Sequence, residues 1–511
     1  MSYNIPYHKI NFFSSLILDY LNQDNNLTPF INGFPEIENF GKQIREKANH
    51  DINRHLLVDV LRSQNVNLAL SEKSEQNVNL LLLENTFTIT TGHQLCLFTG
   101  PLYFIYKIIS TINLSEELSL RYPQNNFVPI FWMASEDHDF REINHIHLFG
   151  DKIEWDTKQS GAVGRMNLDG LEKIILRLRS ILGSSANAER LISMFEESYL
   201  NNDNLADATR NLLNELFGKY GLLILDGDNK DLKEQFIPQM KKDILKNSSF
   251  LDIEKCSNNL GRDYKIQAYV RKINFFKLEE NKRVLLKEGV LEDGIIDTPE
   301  TFSPNVLMRP LYQEIILPNI AYIGGQAEIS YWMQLRDLFK KEKVPFPILC
   351  LRNSALLITQ KQQHKFEKLG FQLSDLFLSK DELNREYLLR NLEKDISFDN
   401  EKQELKLLYH NIGSKTNDIG LTRSIRAQLQ KQFSYLDNLK KKFIRIEKKR
   451  NQSSINQIIK IKEQLFPANI LQERYDSFIP FYLEYGDNFI KILKDNFKSE
   501  NLNFVVLVLG E

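Results

Sequence analysis

The sequence predicts an α/β fold with a parallel sheet, joined to a long helical arm. Strand-like and helix-like segments alternate from residue 87 onward, and short polar clusters follow the strands. Residues 379–466 are nearly free of glycine and proline and show a heptad pattern, as coiled coils do. At 511 residues the chain is too long for one hydrophobic core, so two or three domains are expected.

Composition excludes several classes of protein. The 65 basic and 67 acidic residues leave a net charge of −2, so no chain-wide basic field for nucleic acid is present. The sequence shows no secretory signal and no apolar run that would span a bilayer, so no membrane partner is expected. The three cysteines lie far apart, in neither a disulfide framework nor a C-x-x-C zinc pair. A reducing cytoplasm is the expected location.

The first 150 residues carry the βαβ pattern. Residues 1–85 are expected to be mostly helical, and Phe87 to Thr90 to form a strand. A helix with one buried stripe follows Pro101. The apolar run from Phe127 to Met133 is typical of a strand covered on both faces, and Ser135 is expected to cap a second helix.

The remainder divides into a core and an arm. We expect residues 1–378 to form the core, with insertions near 151–200 and 255–300 and further strands in 221–226 and 346–351. Alternating stretches in the second insertion (265–270, 275–278 and 283–286) predict antiparallel strands.

Residues 379–466 are expected to form two antiparallel helices with a turn near 411–414. The heptad seam comprises Leu429, Gln432, Leu436, Leu439, Phe443 and Ile446. Such an arm often dimerises, and the lysine runs beside the seam are expected to be a solvated helical face rather than a nucleic-acid site. Residues 467–511 are expected to return to the core, with 504–509 as a strand.

The first polar cluster, Thr91 to Pro101, is a candidate phosphate site. Its glycines permit close approach of a ligand to the backbone, and the following helix start offers free N–H groups. His93 is placed to donate to a phosphate oxygen. The alternative is a turn histidine bonded to backbone.

The second polar cluster, Glu136 to His145, follows a buried strand. So many charged and polar residues close together favour a role in ligand binding or acid–base chemistry over a role in solubility alone. A metal site is the alternative, since carboxylates and imidazoles are standard ligands. On a helix, however, Asp137 and Asp139 point to different faces, and His138 and His145 are too far apart to chelate one ion. His145 and His147, further along the expected helix, are assigned structural roles.

The third segment, residues 302–332, combines an arginine, a glycine pair and a glutamate. Arg309 before a proline in an apolar helix suggests a buried anion partner, and Gly324-Gly325 suggests a strand end approached by a ligand. Glu328 is placed to hold an amine. The alternative is an internal salt bridge involving Arg309 and Glu328.

These three segments together resemble the bacillithiol biosynthesis cysteine-adding enzyme family, a family of cysteine ligases. The matching stretches are Thr91-Gly-His-Gln with Phe98-Thr-Gly-Pro-Leu-Tyr103 and Lys107, Pro129 to Asn144, Phe302 to Gln313, and Gly324-Gly with Glu328-Ile and Tyr331-Trp332. The order of these motifs and the overall length also match, so the resemblance covers essentially the whole chain.

The resemblance implies a Rossmann-like nucleotidyltransferase-type core with inserted connecting segments and a coiled-coil arm that pairs two subunits. It implies that cysteine is joined to the glucosamine amine of glucosaminyl malate, with ATP, accompanied by Mg²⁺, activating the carboxyl group as in class I aminoacyl-tRNA synthetases. The second histidine and the lysine-rich signature of those enzymes have no clear match; Arg352-Asn353-Ser354 is the nearest.

Site residues are assigned on this basis. The catalytic candidates are His93, Asp137 and His138. The nucleotide-binding candidates are Gly92, Gln94, Thr99, Gly100, Glu136 and Asp139. The substrate-binding candidates are Asn144, Asn305, Arg309, Gln313, Gly324, Gly325, Glu328 and Tyr331.

Two other classes of function remain open from the residues alone. One is a metal-dependent hydrolase or deacetylase that uses Asp137, His138 and Asp139. The other is a non-catalytic coiled-coil interaction protein.

Overall fold

The computed structural model describes residues 1–287, 292–391, 397–499 and 503–510. Residues 288–291 of the expected insertion and 392–396 of the expected arm therefore lie outside the described residues. The described strands are β1 (Ser2–Pro6), β2 (Thr86–His93), β3 (Asn126–Met133), β4 (His145–Leu148), β5 (Asp151–Glu154), β6 (Leu223–Asp226), β7 (Phe275–Glu279), β8 (Lys282–Leu285), β9 (Phe302–Pro304), β10 (Asn319–Gly324), β11 (Ile348–Leu351), β12 (Ala355–Thr359) and β13 (Asn503–Leu509).

Helices make up most of the remaining described chain. They are α1 (Ser15–Leu21), α2 (Ile37–Ala48), α3 (Arg54–Gln64), α4 (Glu72–Leu80), α5 (Tyr103–Arg121), α6 (Phe140–Ile143), α7 (Leu171–Leu182), α8 (Ala186–Leu200), α9 (Leu205–Phe217), α10 (Lys230–Glu234), α11 (Ile237–Lys246), α12 (Phe250–Leu260), α13 (Glu292–Asp297), α14 (Arg309–Ile316), α15 (Gln326–Met333), α16 (Arg336–Glu342), α17 (Gln360–Lys368), α18 (Lys380–Arg390), α19 (Asp399–Gly413), α20 (Ile419–Arg450), α21 (Gln452–Leu465), α22 (Ile479–Tyr485) and α23 (Asn488–Asn496). No helix in these ranges is both long and apolar enough to cross a membrane.

The chain divides into two compact units. The larger, here called the core unit, comprises residues 2–356 and 471–507. The smaller, here called the arm unit, comprises residues 357–470 with residue 1 and the last residues of the chain.

A five-stranded parallel sheet lies at the centre of the core unit. Its order is β11-β10-β2-β3-β6, and every neighbouring pair runs parallel. The β2–α5–β3 crossover confirms the predicted βαβ unit. Chain order reverses between β2 and β10, because β3 and β6 lie on one side of β2 while β10 and β11 lie on the other. Such a switch point, at the carboxyl ends of the strands, is where open α/β sheets bind ligands.

Buried polar side chains in β2 are satisfied by the neighbouring strand. Thr88 and Thr90 donate to the Asn319 side-chain oxygen at 3.2 and 2.8 Å, and Thr91 donates to the Ile323 carbonyl at 2.8 Å. These bonds let a threonine-rich strand lie in the middle of the sheet without unpaired hydroxyls.

Several local predictions were wrong. Ser135 caps no helix: its hydroxyl bonds the carboxylate of Asp226, and residues 134–139 form a loop before the one-turn helix α6. His145 and His147 lie on β4, not on a helix. Residues 265–270 form no strand, although β7 and β8 are the predicted antiparallel pair.

The two ends of the core unit pair with each other. β1, which the sequence analysis did not anticipate, runs antiparallel to β13, with Ser2 opposite Leu507. The predicted strand at 504–509 therefore exists, but it belongs to a separate sheet of order β1-β13-β12 rather than to the central sheet.

The arm unit contains the predicted antiparallel helix pair. Lys402 near the start of α19 forms an ion pair with Asp437 in α20 at 2.6 Å, and the rings of Phe398 and Phe443 lie 6.1 Å apart. The turn falls at 414–418, slightly later than predicted. The second half of the seam of α20 is about half exposed (Leu439, Phe443 and Ile446), whereas Leu429, Gln432 and Leu436 are partly buried.

Candidate active site

A cavity of about 400 Å³ lies at the carboxyl ends of the central strands. It is lined by residues at the ends of β2, β3 and β10, by Arg352 after β11, and by the first turns of α5, α14 and α15. Ten of the predicted site residues line it: Gly92, His93, Gln94, Glu136, Asp137, Asn305, Arg309, Gly325, Glu328 and Tyr331.

The lining is rich in positive charge. Five cationic side chains (Lys107, Arg283, Arg309, Arg352 and Arg474) meet three carboxylates (Glu136, Asp137 and Glu328). The lining residues alone therefore carry a formal charge of +2, from five positive and three negative groups. A cavity of this charge favours anionic ligands.

His93 ends β2 and faces the side chain of Tyr103 in the first turn of α5. Its Nδ1 lies 3.0 Å from the Gln94 carbonyl oxygen, and its Nε2 lies 3.2 Å from the Tyr103 hydroxyl. Burial and the nearby Lys107 ammonium lower the pKa of His93 to about 3. The imidazole is therefore neutral at physiological pH. With a proton on Nδ1 for the carbonyl, Nε2 is left as an acceptor.

Lys107 and Glu328 form a buried ion pair in the wall of the cavity. Lys107 also donates to the Gly92 carbonyl at 3.0 Å, while Glu328 accepts from the Tyr322 hydroxyl at 2.7 Å and the Gly325 N–H at 2.9 Å. Burial alone would raise the pKa of Glu328, but Lys107 and these donors outweigh it, so the pKa lies below its ordinary value. The internal salt bridge considered for Glu328 therefore exists, with Lys107 as its partner rather than Arg309.

Arg309 begins α14 and is held without a carboxylate partner among the described residues. Its Nη1 donates to the Gln313 side-chain oxygen at 2.8 Å, and its guanidinium lies 5.6 Å from the centre of the Tyr322 ring. The Tyr331 hydroxyl also interacts with this guanidinium, while its buried Nη2 is left without a hydrogen-bond partner in the described chain. A buried unpaired guanidinium nitrogen is costly unless a ligand satisfies it, so Arg309 points to an anion in the cavity.

Arg352 follows β11 and is tied to the segment after the arm unit. Its Nη2 donates to Glu473 at 2.7 Å, and the other Glu473 oxygen accepts the Ala355 N–H at 3.0 Å. Arg474, the residue after Glu473, is exposed, and its guanidinium lies 6.0 Å from the centre of the Tyr103 ring. Both arginines thus approach the same tyrosine beside the cavity.

The loop after β3 is held by a buried charge cluster. The ammonium of Lys233, on α10, lies 2.5 Å from Glu136 and 3.1 Å from Asp228. Burial raises the pKa of Glu136, although Lys233 opposes this effect. Burial and Asp228 likewise raise the pKa of Asp226, the partner of Ser135.

Asp137 faces the cavity from the same loop. It accepts from the Gln94 side chain at 2.7 Å, and Arg283 on β8 lies 3.7 Å away. Burial would raise its pKa, but the Gln94 hydrogen bond and the Arg283 charge hold it below the ordinary value. Asp137 is therefore a carboxylate at neutral pH.

The structure does not bring the other predicted residues into the cavity lining. His138 lies beside Arg283, and Asp139 is exposed. Asn144 is buried and bonds Glu154 and the Trp155 carbonyl, a local structural role. Gln313 does not reach the cavity but accepts the hydrogen bond from Arg309 Nη1. Gly324 ends β10 between the lining residues Tyr322 and Gly325 but does not itself line the cavity.

Thr99 and Gly100 also lie outside the lining, and the two residues before α5 pair with the segment 476–477. The Leu102 N–H donates to the Asp476 carbonyl at 2.8 Å, and Pro101 forms a bridge with Ser477. Gly100 has a φ of +62°, and a side chain there would collide with Cys96. The predicted phosphate site at this helix start is therefore not the part of the first cluster that faces the cavity.

Sequence reasoning missed four cationic lining residues as site candidates. Arg352 directly follows a predicted strand, so the rule used for the other strand ends would have found it. Lys107 interrupts the apolar pattern on the buried side of α5, which is a usable signal. Arg283 and Arg474 carry no local signal, because they reach the cavity only through the tertiary fold.

The polar groups suit an anionic ligand better than a metal ion. The described residues include no group of three or more histidine, cysteine or acidic side chains able to hold a metal. Asp137 and His138 lie 3.5 Å apart, but Asp139 does not join them. The unpaired donors of Arg309 and Arg352 fit phosphate or carboxylate oxygens. Cys96 is buried and its pKa is raised to about 12, so its thiol is inert.

Comparison with known families gives two matches that together span almost the whole chain. The model of the N-terminal Rossmann-like domain of the bacillithiol biosynthesis protein BshC matches residues 1–353. The model of the C-terminal coiled-coil domain of BshC matches residues 355–509.

Curated relatives carry the same description along their full length. A protein of Flavobacterium psychrophilum is 45% identical over 98% of both chains, and one of Flavobacterium johnsoniae is 42% identical over 99% of both. A protein of Staphylococcus aureus is 29% identical over 85% of this chain and 87% of its own. Each is named "Putative cysteine ligase BshC".

Proposed function

Because the chain belongs to the BshC family of bacillithiol biosynthesis, we propose that it is a ligase that joins cysteine to the glucosamine amine of glucosaminyl malate. The single observation that carries the proposal is the cation-rich cavity with unpaired, buried guanidinium nitrogens. Cysteine and the malyl group both present carboxylates, and guanidinium groups bind carboxylates with paired hydrogen bonds.

An amide does not form from a carboxylate and an amine in water without activation. We infer that ATP supplies it. The cysteine carboxylate attacks the α-phosphate, pyrophosphate leaves, and the sugar amine then attacks the cysteinyl adenylate carbonyl and expels AMP. The amine loses a proton during this attack. ATP, with Mg²⁺ on its phosphates, is a substrate in this scheme.

Three side chains of the cavity act directly on the substrates in the proposal. Arg309 pairs with a substrate carboxylate through its free Nη2. Asp137, which stays ionised, orients the attacking amine. His93, neutral and with Nε2 as an acceptor, accepts a hydrogen bond from the attacking amine and so helps to orient it.

The Lys107–Glu328 pair fixes the wall against which the ligand lies. Because Glu328 already accepts from Tyr322, Gly325 and Lys107, its main role is to hold this wall rather than to bind the amine alone.

The two alternatives are less well supported. A metal-dependent hydrolase would need converging ligands, and Asp137, His138 and Asp139 do not form such a group. A non-catalytic protein would have no reason to keep buried, unpaired guanidinium nitrogens beside a cavity.

We further propose that the arm pairs two copies of the chain in a reducing cytoplasm. The half-exposed seam residues Leu439, Phe443 and Ile446 follow the heptad pattern that a second helix would cover. All three cysteines are free and buried, which fits a reducing compartment. Light scattering should give a dimer for the native chain, and Leu439→Glu should give a monomer.

The ligase proposal is tested by incubating purified protein with cysteine, glucosaminyl malate and ATP. Mass spectrometry should detect bacillithiol, with one AMP and one pyrophosphate per amide formed. With ¹⁸O in the cysteine carboxylate, one label should appear in AMP. Product with ADP and phosphate instead would overturn adenylation, and no product with any nucleotide would overturn the self-sufficient ligase.

A further inference from the structure

A second unpaired donor lies in the cavity wall, apart from Arg309. Arg352 is 4% exposed, and its Nη groups bond Glu473, the Asn353 carbonyl and Ser354. Its Nε is buried and has no hydrogen-bond partner in the described chain. A donor that is desolvated and unpaired costs free energy, which a bound acceptor would recover.

The space near this nitrogen is kept open by a glycine. A side-chain carbon built on Gly325 would lie 3.4 Å from Glu328 Oε2, which is already paired with Lys107, and 3.8 Å from the Arg352 Nε. Gly325 has an ordinary φ of −77°, so backbone geometry does not require glycine there. The missing side chain instead leaves room for a ligand atom near the donor.

The start of α15 lies at the same place. Gly325, Gln326 and Ala327 all line the cavity. The first N–H groups of a helix lack intrahelical partners and carry partial positive charge. Glu328 takes up the Gly325 N–H, which leaves the next amides of this eight-residue helix to an anion.

Arg474 supplies a second guanidinium from a firmly held segment. On one side of it, Glu473 is bound to Arg352. On the other, the ring of Tyr475 stacks on His147 at 3.9 Å, and the Asp476 carbonyl accepts the Leu102 N–H. The Arg474 guanidinium itself makes no ion pair or hydrogen bond with any described residue. Its backbone is therefore fixed while its side chain remains free to bind.

We propose that Gly325, the start of α15, Arg352 Nε and Arg474 form a second anion subsite, so that the cavity recognises ligands with two separate anionic groups. The group bound here is a carboxylate or phosphate oxygen. Arg474 acts as a specificity residue, whose charge is not offset by a neighbouring carboxylate. This inference rests on the proposed function only for the identity of the ligand.

The test measures binding of two probes, malate and inorganic pyrophosphate, by calorimetry on the full-length chain. Arg474→Gln should weaken at least one probe about tenfold, as expected for a lost charge-assisted hydrogen bond, and Arg474→Lys should restore part of that affinity. Gly325→Ala should weaken the same probe, because its methyl group would occupy the ligand's space. Its nearest contacts of 3.4 and 3.8 Å are ordinary, so it should fold normally.

Arg177→Gln, at an exposed arginine of α7, is the matched control and should change neither probe. Weaker malate binding would identify a carboxylate subsite, and weaker pyrophosphate binding a phosphate subsite. Changes below twofold for both probes in Arg474→Gln and Gly325→Ala would overturn the inference. Probe binding does not require catalysis, so a chain without ligase activity would still give a clear result here.

Discussion

Two buried lysine–glutamate pairs have their glutamates on either side of β10 in the sequence, and of these two pairs only the second lines the cavity described above. Lys47 and Glu314 are 3.6 Å apart, and both side chains are fully buried. Lys107 and Glu328 form the other pair, with 3% and 20% of their side chains exposed. Both pairs consist of the same residue types, so burial of charge alone does not distinguish a site from a structural support.

The surroundings make the difference. Lys47 also donates to the Glu314 carbonyl at 2.7 Å, and Glu314 accepts from Gln313 and Asn319 at 2.9 and 2.7 Å. Glu314 Oε2 has no hydrogen-bond partner in the described chain, but it lies 3.6 Å from the Lys47 ammonium. The Lys107–Glu328 pair instead shares the cavity wall with Arg309 and Arg352, each of which has a buried nitrogen without a hydrogen-bond partner among the described residues. Unpaired donors that face a cavity therefore mark the functional region more reliably than buried charges.

The largest effect is expected from breaking the enclosed pair. Lys47→Met leaves Glu314 buried without its cation, so the free energy of unfolding should fall by about 3–5 kcal/mol. Urea denaturation measures this change. Lys42→Met, at a largely exposed lysine on the same helix, should change it by less than about 0.5 kcal/mol. A Lys47→Met protein as stable as the native one would contradict the structural role.

Breaking the Lys107–Glu328 pair should lower activity strongly and stability less. Glu328→Gln keeps the shape of the side chain but leaves Lys107 without its counter-charge and disturbs the wall. We expect kcat/KM for bacillithiol formation to fall about 100-fold, since a preorganised charge beside the reaction is lost. Stability should fall less than in Lys47→Met, because Glu328 is partly exposed. If kcat/KM stayed within a few-fold of the native value, the Lys107–Glu328 pair would have no role in catalysis.

Two histidines report on the two pairs separately. His93 lies near Lys107 with a pKa lowered to about 3, and His50 lies near Lys47 with a pKa lowered to about 4, mainly by burial in each case. Saturating malate should raise the pKa of His93 by at least one unit and leave that of His50 unchanged, as measured by ¹⁵N-histidine NMR. Equal shifts of both, or none, would show that the anion does not bind beside Lys107.

The lowered pKa of His93 predicts how the free energy of unfolding depends on pH. Between about pH 3 and the ordinary histidine pKa near 6.5, the unfolded chain binds a proton at His93 that the folded chain does not. This contribution is complete above pH 6.5 and is lost as the pH falls, by about 1.4 kcal/mol per unit. His93→Gln should therefore lose less stability than the native chain between pH 6.5 and 5. Urea denaturation at each pH measures this loss. An equal loss of unfolding free energy in the two proteins between pH 6.5 and 5 would refute the neutral buried imidazole.

The smallest effect should come from a single hydroxyl in the open wall. Tyr322→Phe removes the donor to Glu328 while keeping the ring beneath Arg309. A hydrogen bond to a charged carboxylate contributes about 1.5 kcal/mol or more, so kcat/KM should fall about tenfold with little change in the urea midpoint. Initial rates at subsaturating glucosaminyl malate measure this. A loss above 100-fold would mean that the hydroxyl itself touches the substrate.

Much of the fold could be predicted from local sequence patterns. The composition of the site could be predicted only in part. The βαβ unit, the strand before Gly324 and the coiled-coil arm were predicted because periodicity and strand length report them directly. The loop at Ser135 was not, because its hydroxyl is captured by Asp226, which arrives from β6 through strand pairing. Arg474 was missed for the same reason: it lies more than 100 residues from Arg352, and only the tertiary fold brings them together.

The central claim is that the unpaired guanidinium groups of the cavity bind the anionic substrate, and calorimetry with glucosaminyl malate tests it most directly. Arg309→Gln should bind this substrate at least about tenfold more weakly than the native chain, since it loses a charge-assisted pair, while Arg177→Gln binds as the native chain does. Equal affinity of Arg309→Gln and the native chain would contradict the account.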